Sequence, residues 1–375
     1  MTRLCFYIIF ISLFSCKQQQ PEAIWSIAGT LPATEQGKKP LGYAGPVTGT
    51  IGDLLIVGGG ANFPDRMPWR GGTKKYYNRF FIFKIAHNRL VDSGNTSLLP
   101  FNLAYAACVT IPEGLFAGGG ENENGPSAKT FLIKNVNDTL IVQPLPDLPV
   151  AVTNAAASAV GPVIYLAGGD RSNGVSDQFY KLDLSDTTGG WKKLPPLPHP
   201  AANGILASDQ QALFYIGGRK KGSDGISQLY REVYMFQIAA NKWTPRAPLP
   251  YALSAGTGMF TGKNEILLFG GDKGARFHET EEIIRQSDNE HDPLKKDSLN
   301  QQKIKLQETH PGFSNELLVY NIEKDQWDKR GTIPFTIPVT TTAVPYKNTV
   351  FIPSGEIRAG VRTPAILKYK FPSAL

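Results

Sequence analysis

The sequence predicts an all-β fold, a ring of six four-stranded blades, from three observations. First, an apolar, β-prone run ending in paired small residues recurs six times. It appears at Leu54–Gly60, Leu115–Gly120, Val163–Gly169, Ala212–Gly218, Ile266–Gly271 and, with serine replacing the first glycine, Phe351–Gly355. Second, the last glycines of these runs stand 60, 49, 49, 53 and 84 residues apart, near the ~50-residue period of a propeller blade except where something is inserted. Third, the final unit lacks an outer strand, and the N-terminus carries one to spare.

Each unit continues in the same order. A polar loop follows the glycines, and then an alternating strand: Arg79–Phe83, Thr130–Ile133, Gln178–Leu182, Glu232–Phe236 and Glu316–Tyr320. A strand opening on tryptophan and closing on a proline turn comes next, as in Trp191 to Pro198, Trp243 to Pro250 and Trp327 to Pro334. A small-residue strand, such as Ala151 to Val160 or Ala252 to Met259, leads into the next apolar run. Four strands per unit make a twisted blade with both faces buried against its neighbours. The glycine-ended strand is expected nearest the axis, where a Cβ would crowd the adjacent blade. The tryptophans are expected to fill the widening outer gaps. The last unit ends without a Trp…Pro strand, while Ala23 to Pro32 has that pattern. An N-terminal strand completing the C-terminal blade would close a six-bladed kelch-type β-propeller over residues 23–375 and remove two open sheet edges.

The long spacing places an insertion at about 273–313, after Gly271. Its His278–Gln286 and Leu299–Glu308 stretches have helical or mixed polar character, broken at Asp292-Pro293. It leaves from the face of the other post-glycine loops, as a lid or shoulder to a cleft.

Residues 1–15 read as a signal peptide. Arg3 precedes an apolar stretch from Leu4 to Phe14, and Leu13-Phe14-Ser15-Cys16 resembles a lipoprotein cleavage box. Residues 16–22 would be a lipidated tether holding the protein through Cys16 in a bacterial cell envelope, facing the periplasm. Cys108 would then be the remaining thiol, which excludes a disulfide framework. The chain has 39 basic and 32 acidic residues, a formal charge of +7. The basic residues are spread through loops without a long run, which argues against nucleic acid and fits a locally positive cleft for a small anion. Protein partners are not legible.

The residues directly after the six glycine markers are Ala61, Glu121, Asp170, Arg219, Asp272 and Glu356. With Arg66, Asn122, Arg171, Arg358 and Arg362 from the same loops, they gather polar groups at one mouth of the ring, a place for a small molecule. Such side chains also serve turns and solvation. The five histidines form no close ligand pair, and Gly58-Gly59-Gly60 has no following helix to cradle phosphate, so neither a metal nor another cofactor is expected. Glu356 and Arg362 are the sharpest pair, a carboxylate able to pass a proton beside a guanidinium able to grip an acid.

The segment Gly355-Glu356-Ile357-Arg358-Ala359-Gly360-Val361-Arg362-Thr363 resembles the active-site segment of bacterial N-acetylneuraminate epimerases, or sialic acid mutarotases. The likeness extends to Ala44-Gly45 through Ala61 and to Gly217-Gly218 through Tyr234, and covers nearly all of the mature chain. The Gly-Glu segment lies last here and mid-chain in exported family members, so the chain resembles the cyclically permuted mutarotase group. The resemblance implies conversion of the α-anomer of N-acetylneuraminate to the β-anomer without a cofactor. Glu356 would take the proton of the anomeric hydroxyl and Arg362 would hold the sugar carboxylate. An isomerase for another acidic sugar and a noncatalytic sugar- or protein-binding propeller are the alternative readings.

Overall fold

The computed structural model describes residues 24–33, 39–86, 89–137 and 139–371. The expected signal peptide, tether and Cys16 lie outside these residues, as does His87.

Six antiparallel four-stranded sheets form six blades. Blade 1 consists of Val47–Ile51, Leu54–Gly58, Arg79–Ala86 and Arg89–Leu98. Blades 2 to 5 repeat this order from Ala107–Ile111, Ala156–Val160, Ile205–Ser208 and Thr257–Phe260 as their first strands. In blade 6, Val344–Tyr346, Thr349–Pro353 and Ala365–Lys370 come from the C-terminus and Ile24–Thr30 from the N-terminus. The N-terminal strand pairs antiparallel with Ala365–Lys370, and Trp25 packs on Phe269 and Tyr369. The predicted closure is therefore observed.

Six buried apolar clusters occupy the six blade–blade interfaces. Period-two alternation explains them. In blade 1, Leu55 and Val57 point into the blade 6 interface while Ile56 between them points into the blade 2 interface. Continuous apolar runs are what a sheet buried on both faces needs. The outer tryptophans add a directional tie: Trp191, Trp243 and Trp327 donate their indole N–H to the carbonyls of Pro146, Pro195 and Ala247 on the preceding unit.

One expectation is corrected. The strand nearest the axis is the small-residue first strand, because the first strands of blades 6, 1, 2, 3, 4 and 5 contact one another in that succession. The glycine-ended strand is second in each sheet. Its glycines serve the turn that follows. Gly59, Gly119, Gly168, Gly217 and Gly270 all have positive φ, and a Cβ on Gly168 would lie 2.2 Å from the carbonyl oxygen of Ala201. At the seam Ser354 takes this position with φ 59°. Its buried Oγ accepts from the Tyr43 N–H at 2.8 Å and lies 2.7 Å from the Thr363 carbonyl, so a hydroxyl joins the two termini of the ring.

The axis itself is laced by backbone. Gly45, Tyr105, Asn154, Asn203, Ala255 and Thr340, one per unit, all have positive φ. Each donates its N–H to the carbonyl of the one before: Tyr105 to Gly45 at 2.7 Å, Asn154 to Tyr105 at 3.0 Å, Asn203 to Asn154 at 2.9 Å, Ala255 to Asn203 at 2.8 Å and Thr340 to Ala255 at 3.2 Å. Gly45 donates to Thr340 at 2.8 Å and completes the circle.

Above this circle, five blades carry a small hairpin directly after their glycines, and blade 5 carries two helices in its place. These are α1 (Ala275–Asn289) and α2 (Pro293–Glu308), the latter capped by the Asp292 carboxylate with proline at its start.

Replacing Gly217 (φ 59°) by alanine would set a Cβ 2.4 Å from the Leu253 carbonyl oxygen. The left-handed conformation alone costs about 1–2 kcal/mol. Gly217→Ala is expected to lower the thermal midpoint by several degrees, and an unchanged midpoint would contradict this role.

Candidate active site

The six post-glycine residues occupy equivalent places. Ala61, Glu121, Asp170, Arg219, Asp272 and Glu356 each form an antiparallel bridge with the residue before the axial circle, namely Ala44, Ala104, Thr153, Ala202, Ser254 and Val339. A central cavity is lined by the circle and the first strands, including Tyr105, Asn154, Asn203 and Thr340.

Glu356 and Arg362 face each other across the blade 6 hairpin, in direct register. The turn between them needs Gly360, whose φ is 70° and where a Cβ would fall 2.8 Å from the Trp69 ring. The Gly360 N–H donates to Glu356 Oε1 at 2.9 Å, and Arg362 Nη2 lies 3.3 Å from Glu356 Oε2. The Arg362 side chain is only 4% exposed and its guanidinium lies 4.8 Å from the Phe63 ring centroid. Its Nε and Nη1 are buried with no hydrogen-bond partner among the described residues. Unpaired buried donors on a cation are costly, and an anion reaching the guanidinium would offset part of that cost.

Burial pushes the Glu356 carboxyl above the ordinary glutamate value of 4.5. Arg362, the Gly360 N–H and Lys74 oppose that shift, and Asp272 adds to it. Burial therefore prevails over the neighbouring cations, a balance the sequence left open.

Three residues that sequence reasoning did not single out complete the surroundings. Lys74, from the blade 1 loop, lies 3.2 Å from Glu121 and 5.3 Å from the centroid of the Tyr105 ring. Tyr76 donates its hydroxyl to the same Glu121 oxygen at 2.7 Å. Tyr105 belongs to the axial circle and lines the cavity, and its phenol interacts with Lys74, Arg362 and Glu356. Burial opposes the charge on Lys74, but Tyr105, Glu121 and Tyr76 together hold its pKa above the ordinary lysine value. The usable signal for Tyr105 was its register with Gly45, Asn154, Asn203, Ala255 and Thr340, the residues just ahead of each first strand.

The other expected residues divide. Asp272 is held near Glu356, with its carboxylate accepting from the Gly274 N–H at 2.8 Å and its pKa raised by burial. Asp170 and Arg219 pair with each other through two contacts of 3.1 and 2.8 Å, and Asn154 also donates to Asp170. Asn122 spends its amide on the turn at Asn124 and the Asn102 carbonyl. Arg171 is half-buried near Tyr180, while Arg66 and Arg358 are exposed.

The inserted helices form a shoulder over this face. Glu281 of α1 accepts from the Ser227 N–H and hydroxyl on the blade 4 hairpin, at 2.8 and 2.7 Å. Glu308 of α2 takes two hydrogen bonds from Arg70 beside the short helical turn Pro68–Arg70 of blade 1. The insertion thus reaches from blade 4 to blade 1, past the hairpin that carries Glu356 and Arg362.

A family model described as N-acetylneuraminate epimerase matches residues 145–374, more than half of the chain, including both hairpin residues. The chain belongs to the N-acetylneuraminate epimerase family. Similar curated proteins agree. The N-acetylneuraminate epimerase of Vibrio vulnificus (strain YJ016) is 28% identical over 137 residues, 33% of each chain. That of Brucella suis is 30% identical over 126 residues, 30% of each. That of Haemophilus influenzae (strain PittEE) is 28% identical over 162 residues, 42% of each. The aligned stretches thus span between about a third and two fifths of these relatives.

The raised Glu356 pKa has a consequence for stability. The folded protein keeps this proton at pH values where the unfolded chain has lost it. Stability contributed by the group is therefore fully present at low pH, falls as pH rises above about 4.5, and levels off beyond the folded pKa. Glu356→Gln removes that fall. Urea midpoints at pH 4 and pH 8 are expected to show the variant gaining on the wild type at the higher pH, and a difference independent of pH would contradict the assignment.

Proposed function

We propose that the protein is a mutarotase that interconverts the α- and β-anomers of N-acetylneuraminate. The observation carrying this reading is the buried Arg362, with two unpaired donors, beside a carboxyl whose pKa is raised by burial. A sugar acid matches both groups. Its carboxylate accepts from Nη1 of Arg362 in a charge-assisted hydrogen bond, and its hemiketal hydroxyl comes to Glu356.

The chemistry asks for proton transfer alone. Ionised Glu356 takes the proton of the anomeric hydroxyl as the bond from the hemiketal carbon to the ring oxygen breaks, and the ring oxygen takes up a proton from a second group of the site. The product is the open-chain ketone with a chain hydroxyl. Rotation presents the other face of the carbonyl, the chain hydroxyl adds back as it gives its proton to that second group, and Glu356 returns its own proton to the former carbonyl oxygen. A glutamate with a raised pKa is a better base than an ordinary one and a competent acid on the return. Arg362 keeps the substrate carboxylate fixed while the ring opens. The shoulder of α1 and α2 narrows the approach over this hairpin. Export as a periplasm-facing lipoprotein acylated at Cys16 is part of the same proposal and rests on the N-terminal sequence.

Freshly released α-anomer, followed by proton NMR, is expected to equilibrate far faster with the protein than in buffer. Glu356→Gln is expected to reduce turnover by about 10²–10⁴-fold, the usual contribution of a positioned acid–base group. Equilibration at the buffer rate with saturating wild-type protein would remove the mutarotase reading. Near-normal turnover in the variant would remove Glu356 from the proton transfer.

A further inference from the structure

Ring opening moves protons at two oxygens, the anomeric hydroxyl and the ring oxygen, and one carboxylate cannot serve both at once. We infer that Tyr105 is the second proton carrier of the site, acting on the ring oxygen, with Lys74 as the residue that positions it. This inference rests on the mutarotase reading and deepens it.

Three observations converge on Tyr105. It lines the central cavity, and its phenol lies within electrostatic reach of Glu356 and Arg362, which are outside that cavity's lining. Its backbone is locked: φ is 56°, a conformation unusual for a bulky residue. Its N–H and C=O are both committed to the axial circle, to Gly45 at 2.7 Å and from Asn154 at 3.0 Å. Its ring also lies against Gly45, where a Cβ would fall 2.5 Å from Cδ1 of the tyrosine.

Lys74 explains how a tyrosine could release a proton here. Its ammonium lies over the Tyr105 ring at 5.3 Å and over the Tyr76 ring at 5.4 Å, with Glu121 at 3.2 Å. The charged groups facing Tyr105 are thus Lys74 and Arg362, which favour a phenolate, and Glu356, which opposes it. Burial also opposes it, so the resting phenol keeps its proton. Glu121 and Tyr76 in turn anchor Lys74.

The step balances. As Glu356 takes the hydroxyl proton, the electron pair of that O–H bond becomes the second bond of the ketone. The pair of the breaking carbon–oxygen bond goes to the ring oxygen, which takes the phenol proton of Tyr105. On closure the phenolate recovers a proton from the chain hydroxyl, which attacks the opposite carbonyl face, and Glu356 protonates the carbonyl oxygen. No co-reactant is needed.

The test is Tyr105→Phe, which keeps the ring packing and removes the hydroxyl. Turnover of the α-anomer is expected to fall about 10²-fold, the low end for one acid–base group. Affinity for a 2,3-unsaturated sialic acid analogue, which has no anomeric hydroxyl to react, should stay within about threefold of wild type. The alkaline limb of the kcat–pH profile should disappear. Lys74→Met is a second variant that keeps the phenol, and is expected to move that limb to higher pH. An active wild type with Tyr105→Phe turnover within threefold, or an unchanged alkaline limb in both variants, overturns the inference and leaves the role of Glu356 standing. A wild type inactive on the sugar overturns both. If Tyr105→Phe loses its native circular dichroism, the Lys74→Met profile decides alone.

Discussion

The circle of six backbone hydrogen bonds around the axis is the constraint on which the rest of the structure depends. Apolar interfaces hold neighbouring blades together, but hydrophobic burial is not directional. The circle is. Each unit contributes one residue with positive φ, and each N–H finds the carbonyl of the unit before it, with Gly45 returning to Thr340. Six units close it without a spare donor or acceptor. Antiparallel pairing of Ile24–Thr30 with Ala365–Lys370 closes the same ring at its rim, so the first and last described strands share one blade.

The same circle positions the chemistry. Every post-glycine residue bridges to the residue next to the circle, so a side chain in the hairpin above inherits a fixed height and distance from the axis. Glu356 and Arg362 gain a further restraint from being direct partners across their own short hairpin. Their surroundings are drawn from three units: Lys74 and Phe63 from blade 1, Tyr105 from blade 2, and Asp272 from blade 5. Burying a guanidinium with two donors unpaired is a stability cost. A site prepared for an anion accepts such a cost, because those donors are already aimed when the ligand arrives.

Much of this was legible in the chain itself, for reasons that differ by element. The glycine pairs were readable because positive φ and close approach of a neighbouring carbonyl leave few alternatives, and Ser354 stood out as the one departure. The N-terminal strand was readable as the missing partner of an incomplete last unit. The Glu356–Arg362 pair followed from one short segment, since a hairpin with glycine at its turn brings its flanking residues together. What failed was radial order. Glycine was taken to mark the axis, whereas its positive φ marks the turn, and the strand nearest the axis is the small-residue one. Lys74 and Tyr105 were missed because their proximity to Glu356 crosses from one end of the chain to the other, and no local spacing encodes it.

Family membership sets the expected chemistry, and the central physical claim is that an unpaired donor of Arg362 awaits a carboxylate. Calorimetric binding of a sialic acid and of its neutral carboxamide to the same protein tests this directly. A charge-assisted contact is worth about 1.5–3 kcal/mol. The acid is therefore expected to bind roughly 10- to 100-fold more tightly, with the preference abolished in Arg362→Met. Equal affinity of the wild-type protein for the acid and the amide would contradict the account.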